Sequence, residues 1–139
     1  MIAFVYLISC EKFHCEHGQK LLFKEKCNLI VERNYNTEKS SFALGTLKIR
    51  GTDAETGKEE LFGGDRGWEP FAKHIFIGDT VVKKEGEAIM RIYKKDSIIT
   101  LSYQNVCDEN FDWDNILTFV LRDSISKYVR LQTKLDSFS

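Results

Sequence analysis

Residues 74–103 read HIFIGDTVVKKEGEAIMRIYKKDSIITLSY, and this stretch decides the fold. From Ile75 to Tyr103 the chain spells a turn, a short strand, a second turn and a β-hairpin. Gly78-Asp79 is a tight-turn signal, because Gly tolerates positive φ and an Asp side chain bonds the backbone close to it. Glu85-Gly86-Glu87 breaks the chain again. Residues 88–94 (AIMRIYK) and 97–104 (SIITLSYQ) then alternate apolar and polar positions and are joined across Lys95-Asp96, which predicts a hairpin.

Upstream, residues 27–35 (CNLIVERNY) predict a strand with Leu29, Val31 and Tyr35 on one face and Ile30 and Glu32 on the other. Residues 42–50 (FALGTLKIR) predict a second strand, in which Gly45 marks a bulge or a close backbone approach. A turn-rich stretch, 51–58, leads to a short third strand at 59–62, antiparallel to the second. Residues 63–67 (GGDRG) form a glycine-rich loop with no Lys-Ser or Lys-Thr after it, so it predicts a mobile surface loop rather than a phosphate cradle. Trp68, Phe71, Ala72 and Ile75 recur at helical spacing, with Pro70 tolerated in the first turn.

Downstream, residues 106–113 are acidic and irregular. From 114 to 135 the period changes: Leu117, Val120, Leu121, Ile125, Tyr128, Leu131 and Leu135 fall on one helical face, with Asp112 or Asp114 as cap. A strand at 116–121 followed by a short helix is the competing reading. The expected fold is mainly β: a small antiparallel β-barrel or sandwich of five to six strands, with a helical turn near 68–75 and a C-terminal helix at about 114–135.

A chain of 139 residues is one domain's worth, and 42% hydrophobic with 12% aromatic residues supplies a core. The 20 Lys and Arg nearly balance 21 Asp and Glu, which argues against a nucleic-acid partner, since phosphate binding calls for a basic excess. Lys83, Lys84, Arg91, Lys94 and Lys95 make a local basic cluster that would suit an anion, although Glu85, Glu87 and Asp96 are interleaved with it. Neither a nucleophile elbow nor a Cys/His pair points to an enzyme, His74 reads as a structural histidine, and no cofactor motif is present. His14, Cys15 and His17, with Cys27 nearby, are zinc-ligand types without the spacing of a known finger, so no metal is expected.

Residues 1–9, MIAFVYLIS, carry no charge, and polarity flips at Cys10. The run is too short to span a bilayer as a helix and matches the apolar region of a signal peptide, about 7–15 residues. Leu7-Ile8-Ser9-Cys10 resembles the lipobox of bacterial lipoproteins. That resemblance implies cleavage after Ser9 and lipid attachment at Cys10, with the membrane as partner through the anchor. No Lys or Arg precedes Cys10, so in this reading the true start lies upstream of Met1; in the competing one, residues 1–8 are a first β-strand. Residues 10–26 are then a tether and 27–139 the β-rich domain, with Leu21, Leu22 and Phe23 the first to touch the core. In an oxidising envelope Cys27–Cys107 or Cys15–Cys27 is a candidate disulfide.

Residues 77–87 (IGDTVVKKEGE) followed by 90–96 (MRIYKKD) resemble small Bacteroidetes envelope lipoproteins of unknown function, which share a Gly-Asp-Ser/Thr turn, a Lys-Lys-x-Gly turn and a strand ending in a Lys-Asp turn. The likeness covers roughly 27–103 and implies a lipid-anchored, non-enzymatic binding or accessory module of the bacterial cell envelope. Its partner would be an envelope protein or small ligand. The alternative expectation is a cytoplasmic OB-like or SH3-like barrel that binds nucleic acid or a protein.

Overall fold

The computed structural model describes residues 15–38 and 45–121. Its framework is a single open sheet of seven antiparallel strands in the order β3-β2-β1-β4-β5-β6-β7. In chain order these are β1 (Cys27–Asn34), β2 (Lys48–Asp53), β3 (Glu59–Gly63), β4 (Thr80–Lys83), β5 (Ile89–Tyr93), β6 (Ser97–Ser102) and β7 (Leu117–Leu121). The fold is mainly β, as expected. Among the described residues seven strands rather than five or six are present, and the sheet is open rather than closed into a barrel, with β3 and β7 at its two ends.

The hairpin that decides the fold is present, with Ile89 opposite Ser102 and Tyr93 opposite Ile98. Alternation sends Met90, Ile92, Ile99 and Leu101 to one buried face together with Leu29, Val31, Ile49 and Val81. Between Val31 and Arg33 the pairing of β1 with β2 slips by one residue. This bulge at Glu32 reverses the alternation, so Asn34 rather than Tyr35 continues the buried face. Buried Asn34 is satisfied by donating from Nδ2 to the carbonyls of Ala72 and Ile75, each at 2.9 Å.

Two short segments cover this face. The crossover from β3 to β4 is a 3-10 helix, Arg66–His74, which buries Trp68 and Ala72 and leads into buried Ile75. Its length and buried residues match the helical turn read at 68–75. The second cover is α1, residues 15–24, which the sequence reads as tether. It buries Leu22 and packs Phe23 on the core, as expected of those side chains.

Three further differences have physical causes. The second strand runs over Lys48–Asp53 rather than 42–50, and the close backbone approach belongs to Gly51: a Cβ there would sit 1.9 Å from the Ile30 carbonyl oxygen. Gly45, with φ +73°, serves a turn instead. Residues 117–121, predicted as the start of the C-terminal helix, form β7, so the competing strand reading holds there; five residues rich in Leu, Val and Phe pair readily with β6. The remainder of that predicted helix lies outside the described residues, as do residues 1–14 with Cys10 and positions 42–44 of the predicted second strand.

Candidate functional site

The basic cluster is dispersed by the pleat of β4 and β5. Lys83 shares the inward face with Val81, whereas Arg91, paired with Val82, points to the other side. Lys83 is buried and its ammonium donates to the carbonyls of Glu25 (2.9 Å) and Lys84 (2.6 Å). Burial lowers its pKa, against the opposing pull of Glu25, Glu87 and Glu85. Arg91 pairs with Glu87 at 3.3 Å and Lys94 with Asp79. Lys84 and Lys95 are exposed but follow opposite ends of the β4–β5 ladder. These five cations therefore do not form one anion-binding face.

The disulfide expectation is corrected as well. Cys15 is bonded to Cys107, and Cys27 is a buried free thiol that donates weakly to the Val81 carbonyl at 3.6 Å. Inward orientation at the start of β1 is what keeps Cys27 from either partner. Burial first, then the charges of Glu60, Asp53 and Glu25, push its pKa up to about 12, which makes it a poor nucleophile. With Cys15 oxidised, His17 and Cys15 cannot act together as zinc ligands. Among the described residues no group of three His, Cys, Asp or Glu side chains could hold a metal ion.

The glycine-rich loop is tied down rather than loose. Gly64 N–H donates to the Leu47 carbonyl at 2.7 Å, and Asp65 N–H to the Glu25 carboxylate at 3.2 Å. A Cβ on Gly64 would lie 2.9 Å from the Phe62 ring and 3.1 Å from that of Trp68. The same Glu25 carboxylate accepts from the Trp68 indole at 3.2 Å. Its pKa is raised by burial, only partly offset by these hydrogen bonds. Tyr103 donates to the Gly67 carbonyl, and its ring lies 5.2 Å from that of Trp68. Sequence spacing gave no hint of this Glu25–Trp68–Tyr103 joint. An open groove of about 410 Å³ beside it has Leu21, Glu25, Asp65 and Arg66 on its walls. The Glu25 carboxylate is taken up by Asp65 N–H and the Trp68 indole, and the joint is structural.

A different feature presents itself outward. Phe76 and Ile77 stand at the tip of the turn before β4, 62% and 74% exposed. This tip is firmly held. Gly78, at φ +92°, donates to the Val31 carbonyl, and Val31 donates to that of Asp79, both at 2.8 Å. The Asp79 carboxylate accepts from Phe76 N–H at 2.7 Å and from Lys94, whose ammonium also lies 4.1 Å from the centre of the Phe76 ring. Lys73 and half-buried His74 immediately precede the tip. Burial lowers the His74 pKa, as do the nearby charges of Lys73 and Lys94. The legible clue was the order of residues: two large apolar side chains placed directly before a Gly-Asp turn occupy its apex.

The turn thus presents a preorganised apolar knob, Phe76 and Ile77, with Lys73 and the Asp79–Lys94 ion pair beside it. Comparison with family models, with characterised proteins and with solved structures finds no match, so the likeness to envelope lipoproteins rests on its short motifs alone.

Proposed function

We propose that this protein is a lipid-anchored domain of the bacterial cell envelope that works as a non-enzymatic binding module. The observation that carries the reading is the Cys15–Cys107 bond. Disulfides persist in oxidising compartments and are rare where the thiol pools of the cytoplasm keep cysteine reduced. The bond lies five positions after Cys10, the residue that the lipobox likeness marks for acylation. Among the described residues no helix is long and apolar enough to cross a membrane; in this reading the anchor is the lipid on Cys10.

The binding role is supported by the Phe76–Ile77 knob. Exposed apolar side chains on a rigid turn lose little entropy on docking, and cations beside them favour a pocket rimmed by carboxylates. An envelope protein with such a pocket is the partner this chemistry fits.

Intact-mass analysis of the protein taken from bacterial membranes tests the anchor. The expected product lacks residues 1–9, carries acyl mass on Cys10 and gains two alkylatable thiols on reduction. Cys27 becomes a third only after unfolding. A soluble protein retaining an unmodified Met1 with Cys15 and Cys107 reduced overturns the reading.

A further inference from the structure

The Cys15–Cys107 bond ties the start of α1 to the loop that follows β6, and this fixes which part of the domain lies nearest to residue 10. Only residues 11–14 separate Cys10 from Cys15. Five Cα steps span at most about 17 Å even when fully extended. If Cys10 carries lipid, the loop around Cys107 is held close to the bilayer by covalent geometry alone.

That loop presents aromatic rings. Trp113 is 64% exposed, whereas Trp68, the only other tryptophan of the chain, is completely buried. Phe111 packs edge-on against Trp113 with ring centres 5.1 Å apart. Their backbone is fixed by successive turns: Asp108 N–H donates to the Asn105 carbonyl at 3.0 Å and Phe111 N–H to that of Asp108 at 3.1 Å. Asp112 then caps the short 3-10 turn Trp113–Asn115, accepting from Asp114 N–H at 3.0 Å and from the Asn115 amide at 2.6 Å. A rigid indole with an apolar body and one N–H donor matches the boundary between headgroups and acyl chains.

We infer that Phe111 and Trp113 seat in the bilayer interface beside the lipid anchor. This rests on the anchored reading of Cys10 and goes further, because it orients the domain. Register places the loop after β6 at the end of the sheet marked by Ile89 and Ser102, while Tyr93 and Ile98 mark the end nearer Lys95 and the turn before β4. The Phe76–Ile77 knob consequently faces away from the membrane, where a partner can reach it. Asp108, Glu109, Asp112 and Asp114 neighbour the two rings in the sequence. Their charge opposes an anionic surface, so the contact depends on the anchor's local concentration rather than on electrostatic capture. Ammonium headgroups of zwitterionic lipids complement both the carboxylates and the indole face.

The test uses the acylated protein, its Cys10 modification established by mass, reconstituted in phosphatidylcholine–phosphatidylethanolamine vesicles containing brominated phosphatidylcholine. The wild type is expected to show a blue-shifted emission component quenched by the brominated chains and shielded from acrylamide. Trp113→Phe should lose that component and keep the lipid-insensitive emission of Trp68. Replacing part of the lipid with phosphatidylglycerol should weaken the quenching. If the acylated wild type is quenched no more than Trp113→Phe, the interfacial seat is wrong while the anchor stands. If Cys10 carries no acyl chain, both readings fall.

Discussion

Gly51 has the least room of any described glycine. Its Cα hydrogen faces the Ile30 carbonyl oxygen, which a Cβ would approach to 1.9 Å, and the nearby Glu32 backbone nitrogen would lie at 3.2 Å. Backbone rather than a flexible side chain fills the space, so relief requires β1 and β2 to separate near the bulge. Gly51→Ala is therefore expected to lower the unfolding free energy by about 2–3 kcal/mol. Gly63→Ala, at a strand position with nothing within 4 Å of its Cβ, serves as the control and should change it by less than about 0.5 kcal/mol. Urea unfolding of the oxidised protein reads both; equal midpoints would mean that the strand pair yields freely. None of this was legible in the sequence. Gly51 stands beside Thr52 and Asp53 in a string that spells a turn, and only the register with Val31 reveals it as an interior strand position. Asn34 was hidden for the same reason, since one inserted residue reverses which side chains face inward.

At the scale of elements, α1 is the cover with the least intrinsic support. Its ten residues include Gly18, and Leu22 is the one position wholly buried against the core. An isolated helix of this length is marginal in water. The bond from Cys15 to Cys107 spans 92 positions and restricts the unfolded chain, an effect of about 4–5 kcal/mol in the chain-entropy estimate. Reduction is expected to lower the urea midpoint and to release amide protection in 15–24 before protection is lost from β4, β5 and β6. Hydrogen exchange followed by mass spectrometry would show this; uniform loss across helix and strands would instead make α1 part of one cooperative unit. The elements with strong alternation, 88–94 and 97–104 above all, were legible because one face of each is buried and the other wet. α1 and β7 were not. The first has no apolar period, and the second carries apolar residues at nearly every position, a pattern that helix and strand satisfy equally.

For the molecule as a whole, an open sheet leaves two edges, and their chemistry differs. β3 carries Glu59 and Glu60, both exposed, with Glu59 held against Arg50 at 2.6 Å. Charge of this kind discourages pairing between molecules. β7 reads LTFVL, all five residues are exposed, and among the described residues it ends the sheet with no charge, proline or bulge to guard it. Leu117, Phe119 and Leu121 lie opposite Leu101, Ile99 and Ser97 on the core-facing side, while Thr118 and Val120 oppose Thr100 and Ile98 on the other. Two copies meeting antiparallel about Phe119 would match Leu117 with Leu121 and Thr118 with Val120, which places no like charges together. The wild type is thus expected to associate as concentration rises. Val120→Lys puts a charge on the outward side of that edge without touching the core, so it should suppress the association while shifting stability by less than about 1 kcal/mol. Sedimentation velocity over a concentration series decides the matter. Identical behaviour of the two proteins would show that the β7 edge does not pair between molecules.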